Sequence, residues 1–174
     1  MSIVTVVGNP RPGSRTLGVA TALSSAVAAR AGLPDGPVFD LAGFGGQWLG
    51  DLASDGESAL AAAAEASVLV VATPTYKASY TGLLKAFLDR LPGGALRGTV
   101  AVPVTVAAAP THRFVADLQL RPVLAELGAT LPVPSFVVEE RELPDLLALA
   151  ERWAAGHGAV LTATASALAA AEAA

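Results

Sequence analysis

The chain has 174 residues, 53% of them hydrophobic and 15% charged, with a formal net charge of −4. That length fits one domain spanning 1–174 that buries roughly 70% of its unfolded surface, and no run of Lys or Arg forms the basic stripe a nucleic-acid partner would need. The absence of cysteine excludes disulfides, thiolate chemistry and sulfur-ligated metals, and the two histidines, His112 and His157, are too far apart to suggest a histidine-rich metal site.

Apolar runs of strand length alternate with helical periodicity along the chain. "IVTVV" (Ile3–Val7) predicts a buried strand by its branched residues and its length. Ser14–Gly32 predicts a helix with Ser14 as N-cap, Leu17, Ala20, Leu23 and Val27 at helical spacing, and Gly32 as the stop. Pro37–Leu41 is a short second strand, and Ala42–Gly50 a Gly-rich loop whose Trp48 is expected to plug a core edge. Ser54 and Glu57 spell a capping box before an Ala-rich helix ending near Ala66.

Ser67–Pro74 is a fully buried strand, followed by a third helix over Ser79–Pro92 with Leu83, Leu84, Phe87, Leu88 and Leu91 on its inner face. Gly98–Ala107 is the fourth strand, although Pro103 is awkward in a central position. His112–Gly128 is expected to be helical despite Pro122. Thr130–Val138 is the fifth strand and Leu143–Gly156 the last clear helix, which the Ala-rich tail from about 157 is expected to continue and fray. Trp153–Ala171 is uncharged, but alanine contributes too little transfer energy to predict a membrane span. The amino terminus lacks a basic leader. The expectation is a cytoplasmic protein with neither membrane nor nucleic acid as partner.

Five strands alternating with helices, most of them too apolar to face water, predict an α/β fold with a parallel sheet covered on both sides. Ligands of such sheets sit beyond the carboxyl ends of the strands. The loops that matter are therefore Gly8–Ser14, Pro74–Ser79 and Ala107–Thr111.

The first of these, "GNPRPGSRT" (Gly8–Thr16), resembles a triphosphate loop but lacks its lysine, and Pro10 and Pro12 remove two backbone donors. No G-x-G-x-x-G follows the strand, and Val6, Val7 and Gly8 supply no carboxylate for magnesium. What remains suits a monophosphate: hydroxyls from Ser14 and Thr16, the charge of Arg15, and the free amides of a helix N-terminus. An ordinary loop with a Ser cap is the competing account. In the second loop, Thr75, Tyr76, Lys77 and Ala78 line the crevice, and Tyr76 or Tyr80 could cover the face of a planar ring.

Three stretches, "GNPRPGSRT", "ATPTYKASYTGLLKAFLDRLP" and "HRFVADLQLRPVLAEL", occur in this order. Together they make the chain resemble the NAD(P)H-dependent FMN reductases of flavodoxin-like fold, and most of all those that supply reduced flavin to two-component monooxygenases such as the alkanesulfonate systems. The resemblance runs from the first strand to about Val138. It implies a three-layer sandwich with strand order 2-1-3-4-5 and FMN as bound cofactor or exchangeable substrate, with NADH or NADPH as co-substrate.

By resemblance, Ser14, Arg15 and Thr16 would bind the FMN phosphate, with Arg11 in the same loop. Pro74, Thr75, Tyr76 and Lys77 would run along the isoalloxazine ring, and Ala107, Ala108 and Ala109 would meet its pyrimidine side. The last loop, often Gly-rich in the family, here reads "AAAP". Tyr80, His112, Asp117 and Leu118 would lie beside the flavin or at a subunit interface. Leu118 stands where the monooxygenase-linked subgroup often carries an aromatic residue or His in a helical bulge. Pro122 leaves the helix one hydrogen bond short, so a bulge is still expected, and both tight and exchangeable FMN stay open.

The implied reaction is hydride transfer to the flavin with no catalytic side chain, in a homodimer or homotetramer with a flavin-dependent monooxygenase as possible partner. Lys77 and the loop amides would meet the charge of the reduced ring. An FMN-containing quinone or azo reductase, a flavodoxin-type electron carrier and a flavin-free interaction domain are the alternatives. No loop is an evident clamp for a 2′-phosphate, though Arg11 or Arg113 could serve.

Overall fold

The computed structural model describes residues 1–173. Five strands form one parallel sheet: β1 (Ile3–Val7), β2 (Val38–Asp40), β3 (Val68–Pro74), β4 (Val100–Ala107) and β5 (Phe136–Glu139), in the order β2-β1-β3-β4-β5. The register pairs Val7 with Asp40 on one side and Ala72 on the other, Pro74 with Val106, and Ala107 with Glu139. The carboxyl ends of β1, β3, β4 and β5 therefore finish along one edge, as the expected parallel sheet requires.

Alternate residues of each strand feed two cores, because side chains along a strand point to opposite faces. Ile3, Val7, Val70, Ala72, Val102 and Val104 pack under α1 (Arg15–Ala31) and the long final helix, α5 (Leu146–Glu172). Val4, Val6, Leu69, Val71 and Ala101 pack under α2 (Ser54–Ala64), α3 (Gly82–Leu88) and α4 (Arg121–Glu126). Trp48 is buried at the edge of this second core, edge-on to Phe87 with centroids 5.1 Å apart, as its sequence position suggested.

Several local expectations change. Ser54 and Glu57 form no capping box: the helix begins at Ser54 itself, the N-cap is Ala53, and no side chain caps it. The Gln47 side chain takes over that end. It accepts from the Ala53 N–H at 2.9 Å and donates to Asp55 at 3.3 Å. The fifth strand shrinks from Thr130–Val138 to Phe136–Glu139, with Thr130 touching the sheet only through a bridge to Val100. Pro132 and Pro134 cannot donate to a ladder, and the carbonyls of Leu131 and Val133 accept from Arg121 instead.

Pro103 is tolerated in the centre of the sheet for a related reason. The Val100 N–H points to Ser67 on the β3 side and the Ala101 N–H to Thr130 on the β5 side. By alternation, the missing donor of Pro103 falls between that bridge and the start of the β5 ladder at Val104.

The expected third helix is shorter, starting at Gly82 behind a Thr81 N-cap. The expected fourth helix is not uniform: a 3-10 turn at Pro110–His112 is followed by a π-helical turn at Ala116–Leu120 and then α4. The bulge anticipated from Pro122 is present, with the Arg121 N–H reaching back to the Ala116 carbonyl. The Pro122 ring has no N–H and would clash with the carbonyl four residues back, so one wider turn absorbs it.

The Ala-rich tail does not fray over its described length. α5 runs to Glu172, with Leu161 and Ala165 buried in the core it shares with α1. Residues 140–171 are long and apolar enough to cross a membrane by length and composition. In this sandwich, however, Ala150, Ala154, Leu161 and Ala165 form a face that belongs to the core.

Candidate functional site

The cleft is built at the carboxyl end of β1. The Gly8 N–H donates to the Ala72 carbonyl at 2.8 Å, extending the β1–β3 ladder by one residue. Only glycine fits there, because a Cβ would lie 2.4 Å from Leu84 Cβ. The next residue, Asn9, is buried and organises the loop: its Nδ2 donates to Thr16 Oγ1 at 3.0 Å and its Oδ1 accepts from the Arg11 N–H at 3.0 Å. Gly13 adopts a φ of 62° and donates its N–H to Asp40 at the end of β2, 3.2 Å away.

The chain then enters α1 through Ser14, whose Oγ accepts from the Leu17 N–H at 3.3 Å. The N–H groups of Arg15 and Thr16 find no acceptor among the described residues. A 17-residue helix thus directs free amides and the positive end of its dipole into the cleft.

The carboxyl end of β3 forms the second wall. Thr73 Oγ1 accepts from the Thr81 N–H at 3.1 Å and donates to the Pro74 carbonyl at 3.0 Å. The Thr81 hydroxyl donates to the Gly8 carbonyl and accepts from the Leu84 N–H, so one buried residue joins the first loop and α3 by its side chain and β3 by its backbone N–H. Thr75 is anchored by its N–H to the Val106 carbonyl, while its Oγ1 is buried with no hydrogen-bond partner among the described residues. Tyr76 and Ser79 then exchange backbone hydrogen bonds of 2.9 and 3.0 Å around a two-residue turn. Its central residues, Lys77 and Ala78, have φ of 51° and 60°, a conformation that costs a non-glycine residue about 1–2 kcal/mol.

The cleft between these walls measures about 580 Å³, within the usual range for small-ligand sites. Its lining joins Arg11, Ser14, Arg15 and Thr16 from the first loop with Pro74, Thr75 and Tyr76 from the second and Ala108 from the third. Lys77 sits exposed at the tip of its turn and does not line the cleft; Ala107 is buried as the last residue of β4, and Ala109 also stands outside the lining. Thr16 is almost wholly buried, its hydroxyl oxygen committed to Asn9.

The residues expected beside the flavin do not line the cleft. Tyr80 is partly buried against the second core. Asp117 holds Arg121 at 3.1 Å and accepts from the Ser135 hydroxyl at 2.6 Å. Leu118 is 66% exposed on the π turn, and His112 has a buried Nδ1 without a partner among the described residues. Asn9, Val106 and Glu140 also line the cleft, and none is among the site residues expected from the sequence. Glu140 follows β5 and its Oε1 lies 2.9 Å from the Arg15 guanidinium. Nothing local in the sequence signals that pairing, since 125 positions separate the partners. A larger groove of about 1010 Å³ runs between α1 and α5, but small and apolar side chains such as Ala22, Ala26, Leu146 and Leu147 make up most of its lining.

Comparison with known proteins adds to this geometry. A family model described as NADPH-dependent FMN reductase matches residues 1–142. The FMN reductase (NADPH) of Escherichia coli is 46% identical over 65 residues, covering 37% of this chain and 34% of that protein. The NADH-dependent FMN reductase SfnF of Pseudomonas putida is 36% identical over 136 residues, 75% of this chain and 73% of that protein. The matched part thus spans about a third of the first relative's length and nearly three quarters of the second's. Among solved structures, the apo form of an NADH:FMN oxidoreductase superposes with a TM-score of 0.82 at 35% identity, covering 96% of this chain and 89% of that one.

Proposed function

Because the chain belongs to the NADPH-dependent FMN reductase family, we propose that it reduces FMN at the expense of NADH or NADPH and releases the reduced flavin to a partner monooxygenase. The observation that carries this reading is the cleft itself. Two unpaired helix amides, the Ser14 hydroxyl and the Arg15 guanidinium converge at one end, and the unpartnered Thr75 hydroxyl lies on the opposite wall. The donor set suits a phosphate monoester joined to a flat polar ring.

FMN held in this cleft would supply the redox chemistry, hydride transfer from a nicotinamide. The protein's own part is to hold and orient. Ser14, Arg15 and the amides of Arg15 and Thr16 would take the phosphate, with Arg11 nearby. The β3 end from Pro74 to Tyr76 would lie along the ring, where Thr75 Oγ1 has hydrogen-bonding capacity to spare. Tyr76, 43% exposed, could cover a ring face, and Ala108 presents a small surface at the third loop. No carboxylic acid or histidine is needed for proton transfer in this scheme. Lys77, at its turn tip, would contribute only long-range charge. The exposed Leu118 and Phe114 beside the π turn support a homodimer or homotetramer completed at that flank, in the cytoplasm.

The deciding experiment is NAD(P)H oxidation by purified protein with and without added FMN, after recording its visible spectrum. Colourless protein active only with added FMN fits the proposal. Yellow protein active without added flavin would make FMN a prosthetic group and direct attention to quinone or azo acceptors. A flavin-loaded protein that oxidises neither nicotinamide would refute the reductase reading in favour of an electron carrier.

A further inference from the structure

The phosphate end of the cleft already contains an anion of its own. Glu140 Oε1 sits 2.9 Å from Arg15, with both side chains partly open to solvent, and both residues line the same cleft as Ser14 and Thr16. The neighbouring acids do not share this role. Glu139 is buried against Arg113 and Arg141 at 2.9 Å each, and Glu142 turns to Arg113 and to the Glu139 N–H. Those two arginines are therefore held beyond the cleft, and Glu140 faces the cation that the phosphate would need.

We infer that Glu140 is a built-in competitor for the phosphate group, keeping the flavin exchangeable by occupying Arg15 until the ligand displaces it. This rests on the FMN reading of the cleft and adds a reason why the flavin would leave. A phosphate monoester carries nearly two negative charges near neutral pH. It cannot share one exposed guanidinium with a carboxylate without repulsion, and an exposed ion pair is weak enough to open. Every binding event therefore breaks the Arg15–Glu140 pair and leaves the Glu140 carboxylate near the incoming phosphate. Every release re-forms the pair. The position of Glu140 directly after β5 fixes it at the strand-end edge where the phosphate must enter. A ligand with the same ring but no phosphate would not feel this competition.

The test compares FMN with riboflavin, by fluorescence quenching and stopped-flow release, on wild type, Glu140→Gln and Glu140→Ala. Both variants should bind FMN roughly tenfold more tightly at low salt and release it more slowly. The gain should shrink as salt is raised, and riboflavin affinity should not change. The Ala variant, with no side chain to hydrogen-bond Arg15, separates loss of charge from any replacement contact, and thermal melting checks that each variant is folded. Unchanged or weaker FMN binding would overturn the inference, showing that Glu140 is idle or positions Arg15 for the ligand. An equal gain for riboflavin would overturn it as well, since the effect would not act through the phosphate. Failure of wild type to bind either flavin would instead remove the FMN reading of the cleft, and this inference with it.

Discussion

Replacing Thr81 by Val removes one hydroxyl and changes almost nothing else, so its cost can be worked from the structure. The hydroxyl caps α3 by accepting from the Leu84 N–H at 3.1 Å, and it donates to the buried Gly8 carbonyl. Losing the cap costs about 0.5–2 kcal/mol, and leaving a buried carbonyl without a partner costs about 1–3 kcal/mol. Val keeps the volume, so no cavity offsets or adds to these figures. The expected destabilisation is about 2–4 kcal/mol, which for a chain of this length lowers Tm by roughly 5–12 °C.

Thr81→Ser keeps both hydrogen bonds and loses one methyl, which costs about 1 kcal/mol. Urea unfolding and calorimetry of the three proteins give the answer. If Val lies within about 0.5 kcal/mol of wild type, or Ser is as damaging as Val, the hydroxyl does not join the first loop to α3 as described. Because Gly8 opens the loop that ends at Ser14, flavin binding should also loosen more in the Val variant than in the Ser variant.

Three further outcomes can be checked. Arg15→Ala should weaken FMN binding by roughly tenfold in a titration while leaving riboflavin unaffected; equal effects on both would take Arg15 off the phosphate. Gly8→Ala should destabilise the fold by about 1–3 kcal/mol in urea, since the new Cβ meets Leu84 Cβ at 2.4 Å and its backbone Cα at 3.0 Å. A wild-type midpoint would contradict that packing. Ala78→Gly should stabilise the protein by roughly 0.5–1 kcal/mol: relief of a positive φ exceeds glycine's entropy cost. A drop in stability would mean the turn is not strained.

The sequence by itself determined whatever depends on neighbours along the chain. Apolar runs set five strands, all but the short edge strand β2 largely buried, and their alternation with helices sets a parallel sheet with its crevice at the strand ends. Ser14 and Gly32 bound α1 as expected, because a cap needs only residues within one turn. The π turn was anticipated only through the family resemblance, with Pro122, which lacks an N–H, as its physical reason; local periodicity alone predicts a uniform helix there.

The errors arose where a distant group competed with a local signal. Ser54 and Glu57 have the right spacing for a capping box, but the Gln47 side chain reached the helix start first. Thr130–Val138 is apolar enough for a strand, yet its prolines and the Arg121 guanidinium drew its backbone away from the ladder. The site divides in the same way. Ser14, Arg15 and Thr75 were visible because a loop between a strand and a helix of this kind must end at the crevice. Asn9 facing Thr16, Lys77 turned out on a strained tip and Glu140 against Arg15 were not. Their positions depend on buried hydrogen bonds, on backbone angles and on the parallel register that brings the end of β5 to the cleft, and these exist only once the sheet has closed.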